Sequence, residues 1–299
     1  MPFRLPFLRV LLPIFLIPVM SIAKPRLVLD CDTANEIDDF YAIVRMLKQD
    51  RFEVVGLTSA QWYHYLSGER SVYASQYLNE RLIRVLGRTD LPVPIGADEA
   101  VGRPWGGSQP KDSPAAQFII NQARTTPEDE KLYVVCTGAS TNLASALILA
   151  PDIVPRIAAY IMGFRYDPKT GIWNKSEFNV RRDLNAADHL MNLEGLELHI
   201  MTATTSAIYR YPREETFHRQ EEMGELGQLL TDRWREHSPH AEAWTMWDLA
   251  LVQAMIHPEL ATEVQVHTPP ENTERKVWVY DSINKEAMTR DYWNTVLRK

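Results

Sequence analysis

Residues 27–43 read LVLDCDTANEIDDFYAI, an apolar strand that runs into four aspartates and Glu36 within ten positions before a helix begins. Acidic surface loops are common, but these acids emerge from a run that reads as buried. Two carboxylates about 4 Å apart repel by roughly 4 kcal/mol at an effective dielectric near 20, so such crowding calls for a cation or bound protons. Oxygen donors of this kind suit calcium or magnesium rather than zinc. A helix N-cap accounts for one of the aspartates, Asp38, but not for Asp30, Asp32 and Asp39 as well.

Working outward, apolar runs at Leu27–Leu29, Val54–Thr58, Tyr133–Cys136, Ala158–Met162 and Leu198–Met201 alternate with segments of helical periodicity. That alternation predicts an α/β fold, a mostly parallel central sheet flanked by helices in a Rossmann-like open arrangement. In such sheets ligands bind beyond the carboxyl ends of the strands, so polar motifs that follow the strands should converge on one crevice. No linker rich in Gly, Pro or Ser divides residues 24–299, which read as one domain. The segment from Arg213 to His240 is charged and helical. It reads first as a solvated helix, with a lid over the crevice as the alternative. Around Pro269-Pro270-Glu271-Asn272, residues Val264 to Val279 read as a peripheral hairpin.

Composition narrows the partners. A chain of 299 residues with 45% apolar content can bury a sizeable core, and a net charge of −7 disfavours nucleic-acid backbones and anionic membranes. A small-molecule substrate fits better. Residues 1–23 read as a signal peptide, with Arg4 and Arg9, an apolar stretch from Val10 to Met20 and the small-x-small site Ser21-Ile22-Ala23. The expectation is an exported protein, periplasmic or secreted, with no membrane attachment after cleavage. Cys31 and Cys136 each end a strand and read as small buried residues, although an exported chain could bridge them.

Three further stretches carry chemistry. YVVCTGASTNLASAL, residues 133–147, is a strand that ends at Thr137-Gly138 before a helix. YIMGF at 160–164 is followed by SEFNVRRDLNAA at 176–187, and AWTMWDLALVQAMIHPEL occupies 243–260. Taken singly, the first is ordinary strand-to-helix turn chemistry, and Trp247 alone is more often a core residue than a stacking platform.

In order along the chain, these strings resemble the inosine-uridine nucleoside hydrolase superfamily, in a divergent branch. That family's amino-terminal Asp-x-Asp-Pro-Gly-x-Asp-Asp corresponds to Asp30-Cys31-Asp32 and Asp38-Asp39, with an intervening loop two residues longer and without its glycine. The resemblance implies a calcium ion held by Asp32, Asp39, Asp248 and the Thr137 carbonyl, with Asp32 also the general base. It implies a ribose site made by Asp38, Met162, Glu177 and Asn179, with Asp30 supporting the loop from behind. Trp247 stands where relatives carry a histidine before the aspartate, which implies a stacking contact with the base and a preference for purine nucleosides. The reaction implied is hydrolysis of a ribonucleoside N-glycosidic bond to ribose and free base, by a homo-oligomer such as a dimer or tetramer.

The family's second glycine is Phe164 here, and the asparagine expected six positions before Glu177 is Gly171, for which Asn174 is a candidate substitute. The resemblance places neither Asn35 nor Glu36. No leaving-group acid is assigned, although His64, His237 and His240 lie in segments able to approach the pocket, and Trp62, Tyr63 and Tyr65 are candidates for its aromatic wall. Two rivals remain. A haloacid dehalogenase-like phosphatase also begins with strand-Asp-x-Asp, but the threonine expected two places after the second aspartate is Ala34. A non-catalytic exported nucleoside- or sugar-binding protein would bind the ligand without turnover.

Overall fold

The computed structural model describes residues 23–298 except 66, 68, 69 and 103–105. The segment read as an export signal therefore lies, but for Ala23, outside the described residues. Among the described residues no helix is long and apolar enough to cross a membrane.

The strands are β1 (Arg26–Cys31), β2 (Glu53–Ser59), β3 (Leu132–Cys136), β4 (Ile157–Met162), β5 (Arg165–Asp167), β6 (Ile172–Asn174), β7 (Glu197–Met201), β8 (Arg210–Pro212), β9 (Ala243–Thr245), β10 (Ala261–His267) and β11 (Lys276–Ile283). The helices are α1 (Asp38–Leu47), α2 (Ser71–Val85), α3 (Pro114–Thr125), α4 (Thr141–Leu149), α5 (Phe178–Arg182), α6 (Leu184–Asn192), α7 (Ala203–Ser206), α8 (Arg213–Gln220), α9 (Glu225–His237), α10 (Trp247–Ile256) and α11 (Lys285–Val296).

Seven strands form the main sheet in the order β10-β11-β7-β4-β3-β1-β2, all parallel except β10. The apolar runs read from sequence each fall within one of these strands, as the α/β expectation requires. The carboxy-terminal hairpin is more than peripheral, since β11 joins the sheet beside β7 and leaves β10 as its antiparallel edge. The chain leaves β1 for β2 on one side and returns to β3 on the other. That reversal opens a crevice above the carboxyl ends of β1 and β3, the place where open α/β sheets bind ligands.

Two apolar clusters cover the faces, one gathered with α1, α10 and α11, the other with α3, α4 and α6. The period of two along a strand sends Leu27, Leu29 and Cys31 to the first cluster, but Val28 and, from β3, Cys136 to the second. The two buried thiols thus lie on opposite faces of the sheet and stay free. A disulfide between them is excluded by the side-chain direction each strand imposes. Nine of the ten residues of α10 are buried, which explains a helix apolar on every side.

The charged 213–240 segment is not simply solvated. Trp234, Leu229 and Leu230 of α9 join the first cluster. Gln220 of α8 donates to the Tyr41 hydroxyl (2.7 Å) and accepts from Thr231 (2.7 Å), so a buried polar relay seats the helical pair on α1.

Candidate active site

Asp32, Asn35, Glu36, Asp38, Asp39, Thr137, Met162, Glu177, Asn179, Trp247 and Asp248 line one pocket at the switch point, with Arg165, Phe178 and Ala203. Nine of the ten residues picked out from sequence are therefore gathered in one cavity. The tenth, Asp30, is still within β1 and points with Val28 to the other face. There its Oδ1 accepts from Thr58 Oγ1 (2.7 Å) and Asn142 Nδ2 (2.9 Å), behind the pocket wall.

Each acid is placed by an element start. Asp38 and Asp39 open α1, and the N-cap is Ile37 rather than Asp38. Asp38 Oδ2 instead accepts the Asp248 backbone N–H at 3.0 Å, tying the start of α1 to the start of α10. Both helices thus direct their positive ends at the acids. Asp39 Oδ1 accepts from Thr137 Oγ1 at 2.8 Å, which ties the loop to β3. Asp32 approaches Gly138 so closely that a Cβ there would stand 2.7 Å from Asp32 Cβ. The Thr-Gly step after β3 is therefore a steric requirement of Asp32.

On the facing wall Glu177 caps α5, its Oε2 accepting from the Val180 N–H at 3.0 Å. Asn179 donates to the Thr137 carbonyl (2.6 Å) and the Met162 carbonyl (3.2 Å), so a ligand hydroxyl would meet its Oδ1 as acceptor. Phe164 holds φ = 60° while fully buried. The left-handed turn that the family's second glycine would allow is thus kept at a cost of roughly 1–2 kcal/mol. Asn174 does not line the pocket and accepts from the Ser176 N–H instead.

The aromatic residues on the lining are Trp247 and Phe178, not Trp62, Tyr63 or Tyr65. Tyr63 and Tyr65 are 59% and 82% exposed, while the His64 ring, off the lining, lies against Tyr65 at 4.1 Å and Phe178 at 5.9 Å between centroids. Sequence reasoning passed over Arg165 and Phe178, although Phe178 sits in a stretch already singled out and Arg165 directly follows one. Arg165 follows the end of β4, and Phe178 lies between Glu177 and Asn179.

Asp32, Asp38 and Asp39 are each 1% exposed and Asp248 is 4% exposed. Burial, reinforced by mutual repulsion, pushes Asp32 and Asp248 well above the carboxylate range. Burial likewise raises Asp38 to about 6, Asp39 to about 7 and Glu36 to about 8. Burial also raises Glu177, and nearby positive charge offsets part of these rises, Arg233 at Asp39 and Arg165 at Glu177. Asp32 Oδ2 and Asp38 Oδ1 are buried without a hydrogen-bond partner. Among the described residues no three His, Cys, Asp or Glu side chains are drawn together as a formed metal shell. The donors nevertheless suit a hard divalent cation in kind, being carboxylates with unpaired buried oxygens beside a main-chain carbonyl.

A pH dependence follows for the cation-free protein. These carboxyls bind protons more tightly folded than unfolded, so their contribution to stability is fully present below about pH 4. It is lost as pH rises through about 6, 7 and 8, the folded values of Asp38, Asp39 and Glu36. Thermal unfolding in chelator should show Tm falling from pH 5 to pH 8, and an unchanged or rising Tm would contradict this charge balance.

A probable uridine nucleosidase 2 from Arabidopsis thaliana is 28% identical over 189 residues, covering 55% of this chain and 55% of that protein. A pyrimidine-specific ribonucleoside hydrolase, RihB, from Escherichia coli K12 is 27% identical over 178 residues, again at 55% and 55%. Each match thus spans about half the length of the curated relative. Among solved structures, a plant nucleoside hydrolase, PpNRh1, superposes with a TM-score of 0.71 at 17% identity, over 92% of this chain and 99% of that one. A purine-preferring ribonucleoside hydrolase from Gardnerella vaginalis gives 0.69 at 20% identity, over 91% and 98%. These likenesses carry the fold. The family model described as inosine-uridine preferring nucleoside hydrolase matches residues 27–293, and the chain belongs to that family rather than to the phosphatases that share its opening strand-Asp-x-Asp.

Proposed function

We propose that this chain is an exported, calcium-dependent ribonucleoside hydrolase that cleaves the N-glycosidic bond to ribose and free base, with a preference for purines. The observation that carries the reading is the convergence of Asp32, Asp38, Asp39, Asp248 and Thr137 on one buried pocket at the switch point, with carboxylate oxygens left unpaired. A calcium ion held by Asp32, Asp39, Asp248 and the Thr137 carbonyl would supply Lewis acidity that lowers the pKa of an attacking water.

The protein's own residues do the rest. Asp32 accepts the proton of that water, and its unpaired Oδ2 has the free lone pairs to do so. Asp38, Glu177 and Asn179 offer acceptors to the ribose hydroxyls, fixing the sugar so that attack comes from the aspartate side. Attack opposite the departing base is the geometry of an inverting glycosidase. The apolar surfaces of Trp247, Phe178 and Met162 flank the remaining space. As positive charge develops on the sugar, the surrounding carboxylates stabilise it.

The purine preference rests on Trp247, since the proteins this chain resembles include, by name, both pyrimidine-specific and purine-preferring hydrolases. Stacking one base on an aromatic ring contributes about 1–3 kcal/mol. Trp247→Ala should therefore lower kcat/KM for inosine by roughly 10- to 100-fold, and that for uridine less. Equal losses on both nucleosides would remove Trp247 from base selection.

A further inference from the structure

The loop between β1 and α1 carries two more residues than the family pattern, and its inner members Asn35 and Glu36 line the pocket. Such a loop needs external restraint, because every unfixed residue costs about 1–2 kcal/mol of backbone entropy to order. Within the loop there is one turn bond, Asn35 N–H to the Asp32 carbonyl at 2.7 Å. On one flank α2 holds it, with Thr33 Oγ1 donating to Asn79 Oδ1 (2.5 Å) and Ala34 N–H reaching Ser75 Oγ (3.5 Å). On the other flank a side chain arrives from almost two hundred residues away. Arg233 Nη2, from α9, donates to the Ala34 carbonyl (2.7 Å) and the Glu36 carbonyl (3.3 Å).

We propose that Arg233 is a positioning residue that pins the expanded loop, so that Asp38 and Asp39 are presented to the pocket in register with Asp32. The charged helical segment acquires a role in this way. α9 is anchored on the core through Trp234, and its next residue toward the amino end, Arg233, spans from that anchor to the loop. Carbonyls 34 and 36 bracket the two pocket-lining residues 35 and 36, so one guanidinium nitrogen sets the exit of the loop toward α1.

The rival role is that of a counter-charge for the acid cluster, since Arg233 is a cation beside Asp39. The two roles predict opposite signs. A counter-charge competes with a bound cation, so removing it tightens calcium binding. A brace preorganises the ligands, so removing it weakens calcium binding. This contrast rests on the calcium reading proposed above.

The test uses the full-length protein freed of metal, with calcium titrated by calorimetry and amide exchange followed across residues 33–37. Arg233→Gln should weaken calcium binding by about tenfold, the loss expected for one charge-assisted hydrogen bond, and speed exchange at the Asn35 amide. Arg233→Lys, which keeps the charge but not the planar reach, should fall between Gln and wild type. Calcium binding that is tighter or unchanged in Arg233→Gln, with exchange unaltered, overturns the proposal. If Arg233→Gln does not fold, Arg233→Lys decides alone, wild-type affinity and exchange being the contrary result. If the wild-type protein binds no calcium, the cofactor reading fails by itself. The exchange rates then decide whether Arg233 braces the loop.

Discussion

Asp32→Asn is expected to lower kcat on a good nucleoside about a thousandfold, within the range for loss of a general base. Asparagine has nearly the same shape and leaves the packing beside Gly138 intact, so the fold should be retained. Calcium affinity must be measured alongside, because the same carboxylate serves as a proposed ligand. If saturating calcium restores most of kcat, Asp32 is a ligand only. If kcat stays within tenfold of wild type throughout, the proton acceptor is another group.

Gly138→Ala is the second large expectation, and it is purely steric. The added methyl would sit 2.7 Å from Asp32 Cβ, 2.8 Å from its Cγ and 3.1 Å from Ala60 Cβ. These neighbours are buried, so Asp32 must move rather than swing into solvent. A displacement near 1 Å in a positioned group can reduce rate on the order of 100-fold. The expected result is therefore a loss of kcat of about that size with the fold retained by circular dichroism. Near-normal turnover in Gly138→Ala would mean that Asp32 tolerates displacement and that its placement is not critical.

How much of this was legible beforehand depends on the range of the interaction. The sheet was readable because its inner parallel strands are mostly buried on both faces and leave continuous apolar runs, as in Tyr133 to Cys136 or Leu198 to Met201. Convergence of the site was readable too, since the motifs follow β1, β3 and β4, and strand ends on one side of a parallel sheet meet. Period alone could not say which face Asp30 joins until the pairing register placed Asn142 against it. The opposite facing of Cys31 and Cys136 depends on the same register. Arg233 left no sequence signal, because its partners are main-chain carbonyls, which carry no residue identity. The buried relay from Gln220 to Tyr41 escaped for a related reason, as a charged helix looks solvated until its few inward positions are known.

The backbone turn at Phe164 is instructive in the other direction. A sequence pattern with glycine missing suggests that the turn is lost, yet Phe164 adopts the left-handed conformation and is held there by burial and an edge-on contact with Trp173 at 5.6 Å. Packing has compensated for local strain, and Arg165, next in the chain, lines the pocket.

The aspartate pocket is proposed to hydrolyse a ribonucleoside with the help of calcium. The most direct measurement incubates the protein with inosine and uridine, with calcium and after chelation, and quantifies free ribose and free base together. The expected result is equimolar ribose and base, released faster from inosine, abolished by chelator and restored by calcium. No ribose from any nucleoside, with calcium shown to occupy the site, would contradict it.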